Sequence, residues 1–375
     1  MKYLFLPILF PVALATIDPR IAEWKEAQER NDAEFANYTI NPNILTESTP
    51  FGDFTLKTKL YASEYSVVYT IWENRDYLIK YQTNCERSNS LETLVRDFWF
   101  SNEVHKLERG PKPYFISPPV RLTKAQTEKF RFTMDQRHWR RCYTRGGTVR
   151  FMLIERIMGV SLQQYRRDHT PNGFDMLLAV SDLYAIVSMI QKLHENDIIH
   201  GDIHSGNVMV YHNETDGHAY LMLIDHGRAF FYDPNQSDDS VPEFNDCNSE
   251  IATPWQLRGL PWGKRDDIYR AMDVFARLVQ PDEWKRHVRR LVELGDDAIL
   301  DFRENEFFLD KPVGIASYGS SPFSKLRVSL EDAAAIRQGF VDIMDRILAM
   351  DHVNSEPPYD YILDELEKIK SLLDA

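Results

Sequence analysis

The sequence contains few cysteines and no excess of basic residues, and each shortage excludes a class of protein. Three cysteines in 375 residues are too few for a fold held together by disulfides. The 44 Lys and Arg residues are outnumbered by 57 Asp and Glu residues, so the formal net charge is −13. Nucleic acids and anionic membrane surfaces attract clustered positive charge, and the sequence therefore predicts neither as the main partner.

The sequence also lacks internal repeats and low-complexity tracts. Hydrophobic residues make up 43% and charged residues 27% of the chain, which is ordinary for a globular protein and excludes a wholly disordered, collagen-like or coiled-coil chain. The length predicts two domains or one large unit with two lobes.

Residues 1–15 have the pattern of a secretory signal peptide. Lys2 precedes an apolar run, Tyr3–Leu14, and Ala13 and Ala15 form an A-x-A cleavage site. The run is shorter than the ~20 residues that a membrane span needs. We therefore expect a cleaved signal and a protein that is secreted or resides in the lumen of the secretory pathway, with no membrane span after cleavage.

Two further features suit an oxidising compartment. N-x-S/T sequons predict a glycoprotein; they begin at Asn37, Asn213 and Asn235. The cysteines allow one disulfide and one leftover thiol, with the pairing left open; they are Cys85, Cys142 and Cys247.

The chain divides into a leading segment, a strand-rich region and a helical region. Residues 16–50 form the leading segment, with a charged helix predicted over Ile21–Ala36 and a linker after it. Residues 51–154 read as the strand-rich region, because apolar residues alternate along Asp53–Leu60. Its other predicted elements are a hairpin of Val67–Trp72 with Tyr77–Tyr81, a helix over Glu92–Leu107 and a strand over Phe151–Ile154.

Residues 155–375 are mostly helical in pattern. A long amphipathic helix is predicted from Met176 to Leu193, because its apolar residues recur at helical spacing. Two short apolar strands follow, over Val208–Tyr211 and Tyr220–Ile224.

The polar residues beside these two strands indicate phosphate chemistry. Asp202 and Asn207 lie on the loop before the first strand, and Asp225 follows the second within Asp-His-Gly. Phosphoryl transfer needs a carboxylate that orients a hydroxyl and oxygen ligands for Mg²⁺. Two Asp side chains and one Asn supply these groups.

In these motifs the sequence resembles the protein kinase family. The run from His200 to Asn207 corresponds to the family's H-R-D-L-x-x-x-N, and Asp225-His226-Gly227 corresponds to its D-F-G. The resemblance implies an α+β, bilobal fold with a small antiparallel-sheet lobe and a larger helical lobe, and it implies ATP and Mg as cofactors. Asp202 would be the catalytic residue, and Asn207 and Asp225 would bind the metal.

The resemblance extends upstream of these motifs. Lys80 lies on the third predicted strand, where the family has its phosphate-contacting lysine. Glu103 on the following helix is the predicted partner of this lysine, and Glu92 is the second candidate. The backbone at Glu155 and Ile157 corresponds to the segment that contacts adenine.

Several positions depart from the family pattern. The three glycine places of the phosphate-covering loop hold Tyr61, Ser63 and Ser66. Gly201 replaces an arginine that contacts a phosphorylated activation segment, so control by such phosphorylation is not expected. His226 replaces a phenylalanine.

We therefore predict a secreted or lumenal kinase that transfers the γ-phosphate of ATP to a hydroxyl, most simply on Ser or Thr of a protein substrate. The loop without glycine favours a second hypothesis, an inactive pseudokinase that acts as a binding or allosteric module. Gly201 and His204 favour a third, a small-molecule phosphotransferase, because aminoglycoside and choline kinases carry a similar H-G-D-x-H-x-G-N run. Asp267 resembles a structural aspartate at the start of the family's central helix.

Overall fold

The structure is a computed structural model, and the statements below concern the residues that it describes. These are residues 19–35, 46–49, 52–62, 66–84, 90–124, 147–169, 175–212, 219–235, 252–279, 290–291, 293, 295–301 and 328–374. The predicted signal peptide lies outside this set, as do the sequons at Asn37 and Asn213 and all three cysteines. The third sequon asparagine, Asn235, is exposed.

The smaller lobe is built on an antiparallel sheet of seven strands. Its order is β1-β2-β3-β4-β7-β5, and β6 pairs with the far end of β7. The strands are β1 (Thr46–Thr49), β2 (Gly52–Ala62), β3 (Ser66–Ile71), β4 (Tyr77–Asn84), β5 (Pro113–Ile116), β6 (Val120–Leu122) and β7 (Gly147–Glu155).

Alternation of apolar residues explains why one face of this sheet is buried. Phe54 and Leu56 on β2 point inward, as the period-2 pattern predicts. Strand β4 pairs along its whole length with β7, and Ile79 lies opposite Leu153 in the core. The central pairing of β4 fixes the position of the next residue, Lys80.

Two helices accompany the small lobe. Helix α1 (Pro19–Glu34) corresponds to the charged helix predicted at the N-terminus, and helix α2 (Ser90–Lys106) to the one predicted over Glu92–Leu107. Helix α2 packs against β4, β5 and β7, with Leu94 and Val104 fully buried. It therefore lies directly beside the strand that carries Lys80.

The larger lobe is mainly helical. Its helices are α3 (Leu162–His169), α4 (Met176–His194), α5 (Pro254–Leu257), α6 (Lys264–Val279), α7 (Asp296–Asp301), α8 (Leu330–Leu348) and α9 (Tyr359–Asp374). Its strands are β8 (Gly159–Ser161), β9 (Ile198–Ile199), β10 (Val208–His212), β11 (Ala219–Leu223) and β12 (Phe230–Phe231). The core forms where α4 packs on α6 and α9.

Helix α4 is the one described helix that is long and apolar enough to cross a bilayer by length and composition. Its apolar residues pack in the core of the larger lobe, with Leu183, Ile186 and Ile190 almost fully buried. Burial inside the lobe accounts for this composition, because a helix that is apolar on most sides must be covered.

The predicted bilobal α+β fold is confirmed, and the predicted elements correspond to observed ones. The two apolar strands predicted after Asn207 are β10 and β11, which pair antiparallel with Val208 opposite Leu223. This hairpin brings the segment after β11 next to the loop before β10. Asp225 and Asn207 thereby become neighbours.

Candidate active site

Lys80 connects the two lobes. It lies on β4 opposite Met152 of β7, and its Nζ donates to Asp97 Oδ2 at 2.6 Å and to Asp225 Oδ1 at 2.7 Å. Burial alone would lower the pKa of Lys80, but the two carboxylates outweigh it and raise the pKa above its ordinary value. The lysine is therefore a fixed cation between helix α2 and the segment after β11.

The predicted partner of Lys80 is wrong. Lys80 contacts Asp97 of α2, whereas Glu103 Oε1 accepts a hydrogen bond from Lys106 Nζ at 2.6 Å on the same helix. Asp97 and Glu103 are six residues apart, so they point roughly 120° apart around the helix axis. The side chain of the second candidate, Glu92, lies outside the described residues.

Asp97 holds two groups at once. While Oδ2 accepts from Lys80, Oδ1 accepts from the backbone N–H of His226 at 2.8 Å. Only 2% of the Asp97 side chain is exposed, and burial raises the pKa of this carboxyl against the opposing charge of Lys80. One carboxylate thus ties α2 to β4 and to the Asp-His-Gly segment.

Asp225 has an unusual backbone conformation and a low pKa. Its φ of 63° lies in the left-handed region, which a non-glycine residue adopts rarely and mostly at functional sites. Burial would raise the pKa of Asp225, but the charge and hydrogen bond of Lys80 lower it to about 2. The side chain keeps 45% exposure, so an ionised carboxylate faces the space between the lobes.

His226 is buried where the family has phenylalanine. Its Nδ1 lies 3.0 Å from Ser101 Oγ on α2, and its ring centroid lies 5.1 Å from that of His200. Burial lowers the pKa of His226 well below its ordinary value, with His200 and Lys80 acting in the same direction. The imidazole is therefore neutral at pH 7 and works as a packing and hydrogen-bonding group.

The loop before β10 positions Asp202 and Asn207. Asn207 is buried, and its Nδ2 donates to the backbone oxygen of Asp202 at 3.0 Å, while its own N–H donates to His204 O. Because Nδ2 donates to Asp202, the amide oxygen Oδ1 is the side-chain atom that points away from Asp202. The N–H of Ile224 donates to Asn207 O at 3.0 Å, which places Asn207 beside the residue before Asp225.

Asp267, at the start of α6, holds this loop from below. Its carboxylate accepts from the backbone N–H groups of His200 at 2.7 Å and Gly201 at 2.9 Å, and from His194 Nε2 at 3.1 Å. Burial would raise the pKa of Asp267, but these donors lower it. An ionised, buried acceptor therefore fixes the backbone just before Asp202.

The connection between the lobes begins at Glu155. The N–H of Glu155 donates to Lys112 O at 2.8 Å, and the N–H of Gly159 donates to Ile157 O at 2.9 Å. These bonds fix the backbone of the two residues for which the resemblance to kinases predicts contact with adenine.

Comparisons with known proteins point in the same direction as this geometry. Residues 133–244 match the model of the ABC1 atypical kinase-like domain. The chain is 28% identical over 134 residues to a probable serine/threonine-protein kinase of Corynebacterium efficiens, covering 36% of this chain and 19% of that protein. It is 30% identical over 129 residues to the human serine/threonine-protein kinase VRK2, covering 33% of this chain and 24% of that protein.

A solved structure matches over almost the whole chain. The structure of vaccinia related kinase 3 superposes with a TM-score of 0.56 at 14% identity, covering 92% of this chain and 96% of that one. The chain therefore has a protein kinase-like fold, and part of its sequence is similar to protein kinases. The matched part of the chain spans about a fifth of the length of the two curated relatives above.

Two of the three positions where the kinase pattern has glycine lie on β2 and β3. Tyr61 lies near the end of β2 opposite Val68 and is 56% exposed, and Ser66 begins β3. The third glycine place, Ser63, lies outside the described residues. A tyrosine with a Cβ stands where glycine would allow the closest approach of backbone N–H groups to phosphate.

His204 lies in the loop before β10, between Asp202 and Asn207. Its Nδ1 accepts from the N–H of Gly206 at 3.1 Å, so the proton of the neutral ring lies on Nε2. That Nε2 lies 4.0 Å from Asp202 Oδ2. Burial lowers the pKa of His204, so the kinase-like chain has a neutral N–H donor where many kinases have a lysine.

Proposed function

We propose that this chain is an ATP-dependent phosphotransferase that phosphorylates a hydroxyl, most simply that of Ser or Thr in a protein substrate. The observation that carries the proposal is the position of Lys80 Nζ, within 2.7 Å of carboxylate oxygens from both Asp97 and Asp225. A lysine fixed in this way is a ready contact for phosphate oxygens, because it loses little further freedom on binding.

The oxygen donors in the site fit a magnesium nucleotide. Asp225 offers an ionised, partly exposed carboxylate. Asn207 offers its amide oxygen, because its Nδ2 already donates to the backbone oxygen of Asp202. Mg²⁺ prefers such oxygen ligands, keeps part of its coordination for phosphates and water, and supplies charge neutralisation on the phosphates when bound. Asn207 and Asp225 are therefore the residues that would hold the metal.

Asp202 is the group that we propose to act on the acceptor. It adjoins Asn207 through the 3.0 Å bond from Nδ2 to its backbone oxygen, and Asp267 fixes the residue before it. Its carboxylate would orient the acceptor hydroxyl and take the proton as the oxygen attacks. The carbonyl of Glu155 and the N–H of Ile157 are the backbone groups that we propose for adenine.

The proposed location is the secretory pathway or the cell exterior. The pattern of residues 1–15 supports it, and the exposed turn position of Asn235 suits a glycosylated residue. Endoglycosidase treatment of the protein made in a secreting cell tests this proposal, and failure to enter the secretory pathway contradicts it.

Phosphate transfer itself is tested with labelled Mg-ATP and general protein substrates. Wild type is compared with Asp202→Ala and Asp225→Ala, and with Glu103→Gln as a control whose side chain pairs with Lys106 outside the site. We expect labelling by wild type and the control only. Equal labelling by wild type and both site variants contradicts the assignment.

A small-molecule phosphotransferase is the second candidate, favoured by Gly201 and by the neutral Nε2–H donor of His204. Transfer to sugars or amino alcohols, and never to protein, supports it over the first proposal.

A pseudokinase is the third candidate, favoured by Tyr61 in the phosphate-covering loop. A thermal shift with Mg-ATP shows whether the chain binds the nucleotide, because a ligand that binds the folded state raises its stability by mass action. The labelling experiment shows whether phosphate is transferred.

A further inference from the structure

Helix α1 contacts both lobes. At its C-terminal end Asp32 accepts two hydrogen bonds from Arg150 of β7, at 3.2 and 2.9 Å, and Asn31 Nδ2 donates to the backbone of β5 at 3.1 Å. At its N-terminal end Arg20 Nη1 donates to Asn196 O at 3.1 Å, just after α4. A segment that precedes the small lobe in sequence therefore joins that lobe to the larger one.

The middle of α1 packs on α2 through Trp24. The Trp24 ring lies 6.0 Å from Trp99 in a stacked arrangement and 4.9 Å from Phe100 in an edge-to-face arrangement, both on α2. It also lies 5.0 Å from Phe231 of β12, six residues after Asp225. Aromatic pairs at these distances stabilise beyond their buried area, so Trp24 holds α2 and the segment after Asp-His-Gly in one cluster.

A side-chain hydrogen bond also links α1 to α2. Trp99 Nε1 donates to Gln28 Oε1 at 3.3 Å, and Gln28 is itself buried and donates to Asp32 at 2.8 Å. The aromatic cluster and the ion pair with Arg150 are thus parts of one continuous contact along α1.

The side of α2 away from Trp99 carries the site. Asp97 and Ser101 are four residues apart, hence on one face, and they bind Lys80, the N–H of His226 and its ring. Trp99 and Phe100 lie between them in sequence and point to α1. A rotation or shift of α2 that Trp24 prevents would move Asp97 away from Lys80.

We infer that α1 is a positioning helix for the candidate active site, and that Trp24 is the residue through which it holds α2, Asp97 and Ser101 in place; the inference rests on the proposed function. Trp24 touches no substrate and acts through Asp97.

The test compares Trp24→Ala with Trp24→Phe and with Glu23→Ala, which changes an exposed neighbour on the same helix. All are made in the full chain. Mg-ATP affinity and hydrogen–deuterium exchange of α2 amides are measured well below each variant's melting temperature. We expect Trp24→Ala to weaken Mg-ATP binding about tenfold and to speed exchange around residues 97–101, Phe to restore most of both, and Glu23→Ala to match wild type.

A double-mutant comparison separates positioning from general stability. In an Asp97→Asn background, Trp24→Ala should weaken Mg-ATP binding no further, because the contact through which it acts is already lost. Additive losses overturn the inference, as does unchanged exchange of α2 in Trp24→Ala. If the alanine variant does not fold, Asp32→Asn, which weakens the contacts of Asp32 with Arg150 and Gln28 and keeps the Trp24 ring, replaces it under the same criteria.

Failure of the proposed function gives a different result. If wild type binds no Mg-ATP, the proposed function is contradicted, while the exchange of α2 amides in Trp24→Ala still decides whether α1 holds this helix.

Discussion

Lys80 and Asp97 form an ion pair of 2.6 Å in which only 2% of the Asp97 side chain is exposed. Helix α2 provides the carboxylate through an aspartate, whose side chain is one methylene shorter than that of the glutamate expected from the kinase pattern. Because the same carboxylate also binds the N–H of His226, it connects Lys80 with the Asp-His-Gly segment.

The first prediction concerns this pair. Asp97→Asn should reduce phosphate transfer on the order of 10²-fold, because Lys80 loses one of the two groups that fix it. The free energy of unfolding should fall by about 2 kcal/mol, since a buried hydrogen bond between charged groups is weakened. Steady-state rates with Mg-ATP and urea titrations measure the two effects.

Glu103→Gln is the matched control on the same helix. Its partner is the exposed Lys106, so its unfolding free energy should change by less than about 0.5 kcal/mol and its rate should stay at the wild-type level. If Glu103→Gln lost phosphate transfer and Asp97→Asn kept it, the partner of Lys80 would be assigned to the wrong carboxylate.

The sequence predicts most of the site but not this carboxylate, and the reason is geometric. Asp202, Asn207 and Asp225 are carried by contiguous motifs beside two apolar strands, so their identity does not depend on packing. The lysine's partner depends on how α2 is rotated about its axis, which is decided by the side chains that it buries. The available signal was that Asp97 lies three residues after Leu94 and four before Ser101, on the face that ends in buried Val104.

The fold is predictable for a similar reason, and its accessory contacts are not. Strand alternation and helical spacing are local, and they predict β2, β3, β4, α2 and α4. The charged pattern of α1 predicts a helix but gives no partner for it. Its attachment depends on contacts with distant parts of the chain, among them that of the Trp24 ring with Phe231.

The second prediction is a pH dependence that arises from His226. The ring faces His200, Ser101, Asp97, Asp225 and Lys80, and its pKa in the folded protein lies well below the ordinary 6.5. The unfolded state then binds the extra proton first as pH falls. The stability from this group is therefore complete above pH 6.5 and is lost progressively below it.

His226→Phe removes the imidazole that takes up this proton in the unfolded state. Between about pH 7.5 and about pH 5.5, wild type should lose up to about 1.4 kcal/mol per pH unit more than the variant, which is the slope for one proton. Ser101 keeps Asp97 Oδ1 at 3.4 Å as an acceptor in the variant. Urea titrations at three pH values check this, and parallel curves for the two proteins contradict a depressed pKa for His226.

The third prediction uses two glycines with the same backbone conformation. Gly201 and Gly259 both have a φ of 73°, but a Cβ on Gly201 would lie 2.7 Å from Arg228 O, whereas nothing lies within 4 Å at Gly259. Gly259→Ala should cost about 1–2 kcal/mol from the left-handed conformation alone. Gly201→Ala should cost more than this and also weaken Mg-ATP binding, because the backbone before Asp202 must shift.

Thermal melts of the two variants, with and without Mg-ATP, measure this difference. Equal losses at both positions would mean that the contact with Arg228 yields without cost. A larger loss at Gly201 would explain why this chain carries no side chain before Asp202.

The fourth prediction concerns Asp267, which binds the backbone of the loop before β10. Asp267→Ala leaves the N–H groups of His200 and Gly201 and the ring of His194 without their common acceptor in the buried base of the loop. The loss should be roughly 3–5 kcal/mol of unfolding free energy, since buried donors would lose a charged partner. Asp345→Ala, at an exposed position on α8, should change stability by less than about 0.5 kcal/mol.

Because Asp267 touches neither Lys80 nor Asp225, any Asp267→Ala protein that stays folded should keep the ion pair between them while binding Mg-ATP more weakly through a displaced Asn207. A folded Asp267→Ala protein with wild-type affinity for Mg-ATP would show that the loop holds its shape without this carboxylate.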